Sequence, residues 1–255
     1  MPRIKPIEHE ERLALVDHLG ELRSRLVLCA IAFGFTFSLT AWQNHRVLEI
    51  VNRPLPDNLP EPITFGVTEP FTTTLTNAAY FAILLALPFL LYQFYAFILP
   101  AFSPKERKVA TPLLLMVPVL FIAGVVFCYF VVLPPATDFL LAFNSSEFNT
   151  QVRAKDYYSF VMLTMVAMGL GFQVPVAILA ACKLGVTTPE KLRKNRRYAV
   201  LVIAIVAAFL PTIDPVTLIL EMVPLLILYE FSIVLAAWMA RKGEEPDEAS
   251  AADAT

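Results

Sequence analysis

Glycine is scarce in this chain, with 8 residues in 255. Neither G-x-x-x-x-G-K-[ST] nor G-x-G-x-x-G occurs, so the sequence offers no nucleotide cradle and no ATPase of its own to drive its work. Cysteine is scarcer still. Cys29, Cys128 and Cys182 lie far apart in apolar runs, an odd count without paired spacing. That pattern gives neither a disulfide framework nor a thiolate metal site, and the three read as small buried hydrophobes. The three histidines, His9, His18 and His45, all fall outside the apolar runs. No Ser–His dyad, no H-E-x-x-H and no intramembrane pair of aspartates can be assembled from them, so no enzyme, cofactor or metal is expected. Charge is also low. Only 16% of residues are charged, against about a quarter in soluble domains. A disordered chain and a basic nucleic-acid-binding protein are both excluded.

What fills the sequence instead is apolar. Hydrophobic residues make up 57% of the chain, and mean hydropathy is +0.64. Six apolar runs stand at about 26–42, 72–99, 109–133, 158–182, 198–210 and 216–239. Backbone groups in lipid must be satisfied internally, and the runs lack the alternation of a barrel strand, so each predicts a helix. The expected fold class is all-α: one polytopic membrane domain of six transmembrane helices over 1–242, with a disordered acidic tail at 243–255. Pro88, Pro118, Pro175 and Pro224 sit inside their runs and should kink them. The fifth run is short, its 13 residues covering about 20 Å where the hydrocarbon core measures about 30 Å.

The basic residues are unevenly placed. Sixteen of the 20 fall before run one, after run two, after run four or after run six. The opposite loops hold only Arg46, Arg53, Arg153 and Lys155. By the positive-inside rule both termini are cytoplasmic. The loop at about 43–71 is long and proline-rich and reads as ordered structure capping the outer face. Ahead of run one, Leu15, Leu19, Leu22 and Leu26 recur at helical spacing, with Asp17, His18, Glu21, Arg23 and Arg25 on the other side. This predicts an amphipathic interfacial helix running into the first span, with Glu21 and Arg25 paired at i,i+4.

A few polar residues remain. Ser103-Pro104-Lys105-Glu106 is a capping box with proline at the first helical position. Glu106 therefore has a capping reading. It is also the only acid in a short loop with three cations, well placed to receive a guanidinium. Thr187-Thr188-Pro189-Glu190 repeats the helix-start signal and is assigned to capping. Counting back from Lys183 and Arg241 places Gln173 and Glu230 near mid-depth. There an ionisable group is functional by default, or else ties two helices together. Asp214 sits in the turn Pro211-Thr212-Ile213-Asp214-Pro215, which turn chemistry explains.

These residues carry a family resemblance. His18-Leu19-Gly20-Glu21-Leu22-Arg23-Ser24-Arg25 resembles the N-terminal signature of the TatC family, the polytopic subunit of the twin-arginine protein translocase. The likeness continues at Arg53-Pro54-Leu55, densely from Pro88 to Pro100, and at Glu106-Arg107, Tyr129-Phe130-Val131-Val132 and Pro134. It returns at Gly171-Phe172-Gln173-Val174-Pro175, at 188–196, at Asp214-Pro215 and at Tyr229-Glu230, covering about 12–242. The resemblance implies a glove-shaped six-helix receptor for signal peptides with consecutive arginines, in the bacterial cytoplasmic membrane. It implies export of folded proteins driven by the proton-motive force, in a complex with the single-span proteins TatA and TatB and with other copies of itself. The signal-binding positions map to Glu21 and Glu106, with Arg23 and Phe97 beside them. Pro54 and Tyr129 map to translocation positions. Gln173 stands where some members carry Glu, and Glu230 with the short fifth span maps to where partner helices dock. A small proton-coupled secondary transporter and a membrane assembly scaffold are the alternatives. No internal repeat of the transporter kind is visible.

Overall fold

The computed structural model describes residues 9–56, 62–98, 104–148, 150–208 and 214–252; side chains are described within these from residue 18 onward, apart from 104–112 and 240–252. Ten α-helices follow one another among the described residues, with no strand beyond a single bridge between Ile63 and Arg153. They are α1 (His9–Trp42), α2 (Asn44–Asn52), α3 (Glu69–Ile98), α4 (Pro104–Phe127), α5 (Leu133–Ala142), α6 (Ala154–Gly171), α7 (Val174–Lys183), α8 (Pro189–Lys194), α9 (Arg196–Ala208) and α10 (Pro215–Ala252). Five helical stretches are long and apolar enough to cross a membrane: His18–Trp42, Glu69–Ile98, Leu113–Ala142, Ala154–Lys183 and Pro215–Met239. The 13-residue α9, at the place of the short fifth run, is shorter than any of these.

Composition sets the details. The arm and the first span form one unbroken 34-residue helix, because nothing between His9 and Trp42 interrupts the helical ladder. Its Leu19, Leu22 and Leu26 are exposed. The third span continues to Ala142 through a π turn at Cys128–Val132. Pro134 and Pro135 cannot donate backbone bonds, and the turn ahead of them widens so that the Leu133 N–H reaches the Cys128 carbonyl. The fourth span breaks at Phe172–Gln173, and α7 restarts with Pro175 in its first turn. The last helix runs on to Ala252, across residues whose composition reads as a disordered tail.

Packing follows small residues. α1 lies on α3, where Ala78 and Ala82 let the backbones close in. The Thr40 and Thr36 hydroxyls donate to the carbonyls of those two residues, at 2.9 and 3.1 Å. α4 crosses α6 at Gly124 and Gly169. A Cβ on Gly124 would meet the Met168 carbonyl oxygen at 2.9 Å, and one on Gly169 would meet the Phe121 ring at 2.6 Å. α10 packs on α7 and α9. The main core joins Phe121, Cys128, Leu133, Val161, Met162, Met168 and Ile233. One end of this bundle carries the basic segments, and the other carries α2 and the segments 53–56, 62–68, 143–148 and 150–153.

Candidate functional site

At the basic end, α1 and α3 run side by side and exchange two contacts. The His18 ring stacks on Phe97, with centroids 4.4 Å apart and planes 15° from parallel. One turn further along, Arg25 sits between Glu21 and Gln93. Its Nε and Nη2 donate to Glu21 Oε1 at 3.0 and 2.7 Å, and its Nη1 donates to Gln93 Oε1 at 2.7 Å. The predicted Glu21–Arg25 pair is therefore present. Helical spacing explains it: residues 18, 21 and 25 share one face of α1 and meet residues 97 and 93 on antiparallel α3. The pair remains open to its surroundings, with side chains 25% and 33% exposed. Arg23 points away and is exposed. α3 ends at Ile98 and α4 begins at Pro104, so Glu106 enters the same end of the bundle in the first turn of α4; its side chain lies outside the described residues.

The opposite end is tied by hydroxyls and one ion pair. Tyr129 donates to the Ile50 carbonyl at 2.7 Å, Tyr157 to that of Val51 at 2.9 Å and Thr137 to that of Pro54 at 2.7 Å. Pro54 and Tyr129, 75 positions apart in sequence, thus belong to one structure that holds α2 down. Beside it, Ile63 pairs with the 152–154 backbone at 2.8 and 2.9 Å. Arg153 Nε reaches Glu69 Oε1 at 2.7 Å, while Glu69 Oε2 accepts the N–H groups of Phe65 and Gly66 at 2.9 and 3.0 Å. The Glu69 carboxylate raises the Arg153 guanidinium above its ordinary pKa. Sequence reasoning missed both residues. Arg153 counted only as a sparse outer charge, although an acid opening an apolar helix at Glu69-Pro70 was a visible signal.

The intramembrane residues divide. Gln173 is buried at the break in the fourth span and donates to the Val117 carbonyl at 3.2 Å, tying that break to α4. Asp214 caps α10, its Oδ1 accepting the Thr217 N–H at 2.7 Å, as the turn reading requires. Glu230 lies in the candidate span Pro215–Met239, three residues past its middle. It pairs with Arg196, the first residue of α9, at 2.7 Å, and Tyr229 beside it donates to the Leu192 carbonyl at 3.0 Å. Among the described residues the most buried carboxyl group is that of Glu221, fully buried with Thr217 on its own helix and close to Cys128 of the π turn. Thr188 accepts the Lys191 N–H at 3.3 Å, the capping expected there, and the Thr188 hydroxyl with the backbone N–H of Glu190 holds the Glu190 carboxyl below its usual range. Among the described residues no group of three metal-ligating side chains converges.

Known proteins match this arrangement over nearly its whole length. The family model for Sec-independent protein translocase protein (TatC) matches residues 17–224. The chain is 35% identical over 244 residues to the Sec-independent protein translocase protein TatC of Escherichia coli strain K12, covering 94% of each. It is 35% identical over 241 residues to that of Aquifex aeolicus, covering 93% of this chain and all of the other. A crystal structure of the twin arginine translocase receptor TatC in DDM superposes with a TM-score of 0.75 at 36% identity, covering 86% of this chain and 99% of that one.

Proposed function

The chain belongs to the TatC family of Sec-independent protein translocase proteins, and from that premise we propose that it is the signal-peptide receptor and core subunit of a twin-arginine translocase. It is a multi-pass membrane protein of a transport system. In this reading its basic end faces the cytoplasm, it sits in the cytoplasmic membrane with both termini inside, and it assembles with TatA, TatB and further copies of itself. The assembly moves folded cargo at the expense of the proton-motive force, without catalysis by this subunit.

The observation that supports the reading best is the seat of Arg25. A guanidinium already rests on Glu21 by two bonds to one oxygen, at an end of the molecule that is partly open. A carboxylate so placed has the chemistry that a signal arginine needs. Glu106, entering at the same end, supplies the second acceptor for an adjacent arginine. Guanidinium binds carboxylate through a planar fork that an ammonium cannot reproduce, and each charge-assisted bond is worth roughly 1.5–3 kcal/mol net. Holding Arg25 in place costs the receptor little, since partly exposed pairs contribute about 0–1 kcal/mol, so an incoming arginine shares or takes its place readily.

The test is binding of a twin-arginine signal peptide to the purified protein in detergent, with a twin-lysine peptide as control. Wild type should prefer the arginine peptide by about ten-fold or more, and Glu106→Gln, which keeps the helix cap, should lose that preference with Glu21→Gln weakening it. An unchanged preference in both variants would show that the carboxylates are not the receptor. No preference in folded wild type would sink the receptor reading.

A further inference from the structure

A polar cavity of about 130 Å³ lies between the first turns of α3 and α6, at the end of the bundle away from the basic segments. One water needs only about 15 Å³, so the space suits a larger group. Its lining is ordered by depth. Asn77 and Thr73 form the buried part, 2% and 7% exposed, and Asn77 Oδ1 and Thr73 Oγ1 find no hydrogen-bond partner among the described residues. Leaving a buried acceptor unpaired is unfavourable, so the floor calls for a ligand that donates hydrogen bonds. Thr76 and Lys155, both exposed, and half-buried Ser159 line the mouth. The mouth therefore presents hydroxyls and an ammonium, which suit an anion.

Position narrows the ligand further. Both helices that frame the cavity cross the membrane, and the cavity occupies their outermost turns, at headgroup level. Leu75, 44% exposed, adjoins Thr76 on α3 and gives the mouth an apolar edge. The frame is rigid. Glu69, one turn before Thr73, is paired with Arg153, two residues before Lys155, so a single ion pair fixes both walls.

We propose that this cavity binds the headgroup of one phospholipid whose terminal group donates hydrogen bonds, such as phosphatidylglycerol or phosphatidylethanolamine. The phosphate rests at Lys155 with the Thr76 and Ser159 hydroxyls. The glycerol hydroxyl or the ammonium reaches Asn77 Oδ1 and Thr73, and the acyl chains run past Leu75 toward the inner turns of α3. The site needs only that the chain spans a membrane and does not depend on signal-peptide recognition.

Native mass spectrometry of the delipidated full chain in detergent tests it. Phosphatidylglycerol and phosphatidylcholine are added singly, and inorganic phosphate is added as a competitor. One tightly retained phosphatidylglycerol is expected, bound roughly ten-fold more weakly by Lys155→Gln and by Thr76→Val, both at exposed positions that leave the fold's melting temperature unchanged. Phosphatidylcholine, whose terminal group donates no hydrogen bond, should bind the wild type more weakly than phosphatidylglycerol by a similar factor. Equal affinity of wild type and both variants would overturn the proposal, and so would equal binding of the two lipids. Retention of no lipid, with the cavity holding water only, refutes it, as does displacement of the lipid by millimolar inorganic phosphate, which identifies a free-anion site. None of these outcomes bears on twin-arginine preference, so the two readings fail separately.

Discussion

The three hydroxyls that hold α2 differ in what their loss exposes, and that difference fixes an order. The last carbonyls of a helix have no partner inside it. Val51 is one of these, it is 1% exposed, and Tyr157 supplies its bond from within the core at 2.9 Å. Tyr157→Phe leaves that buried oxygen bare, at a cost of about 1–3 kcal/mol. The Thr137 hydroxyl reaches Pro54 at 2.7 Å but also lies 2.9 and 3.0 Å from carbonyls of its own helix. Its single proton is shared among these acceptors, so Thr137→Val costs an ordinary bond, about 0.5–1.5 kcal/mol. Tyr129 bonds the Ile50 carbonyl in an exposed setting, and that oxygen keeps the Arg53 N–H at 3.3 Å. Tyr129→Phe should cost about 0.5 kcal/mol. Local opening of α2 is read by amide hydrogen exchange of peptides covering 43–56 in detergent. Exchange should quicken about 5- to 150-fold in Tyr157→Phe, less in Thr137→Val and least in Tyr129→Phe, while the cores of α3 and α6 stay protected. If Tyr129→Phe opens α2 as far as Tyr157→Phe does, the carbonyls are not what holds this loop down.

Gly124→Ala should lower the melting temperature, because the new methyl meets a backbone carbonyl and overpacking costs about 1–3 kcal/mol; Gly34→Ala, with nothing within 4 Å, should instead gain up to about 1 kcal/mol of helix stability. Thermal unfolding in detergent that ranks the two variants the other way would disprove the close α4–α6 crossing. Glu230→Gln should leave melting nearly unchanged, since its bond to Arg196 joins two half-exposed side chains, yet should reduce co-purification of single-span partners; unchanged co-purification would remove Glu230 from the docking surface.

The long apolar runs were legible because lipid leaves the backbone one solution, and the spans fall where hydropathy put them to within a few residues, except where a neighbouring turn extended a helix. The third span outran its expected end because Pro134 and Pro135 were accommodated by a π turn, an adjustment that a stop signal in the sequence conceals. The Glu21–Arg25 pair was legible because both residues lie on one helix. Its third member was not: Gln93 is 68 positions from Arg25, and only the antiparallel fit of α1 on α3 joins them. Glu69 and Arg153, 84 positions apart, were hidden for the same reason. Pro54 was marked by family likeness alone, since what it offers is a backbone carbonyl, and a carbonyl leaves no trace in residue identity. Glu221 showed in the sequence only as an acid of the sixth run; its burial close to Cys128 comes from the fit of α10 on the π turn.

In the proposed receptor reading, selectivity at the basic end follows from how Arg25 is held. Its guanidinium uses two edges: Nε and Nη2 face Glu21, and Nη1 faces Gln93 on the neighbouring helix. Those acceptors lie in fixed positions because His18 stacks on Phe97, one turn of α3 from Gln93, and pins the helices together. A planar cation with five donors spans both acceptors at once; an ammonium on a flexible stem concentrates its charge at one point and loses one of them. The seat is therefore shaped for arginine before any peptide arrives. It stands on two long helices, and a site built on helices holds its acceptors more closely than one built on loops. A signal arginine that enters this seat finds its ordering cost already met by the fold. In the proposed reading a lysine finds the same negative charge and the wrong geometry at Glu21 and Gln93, which adds to the discrimination assigned to Glu106.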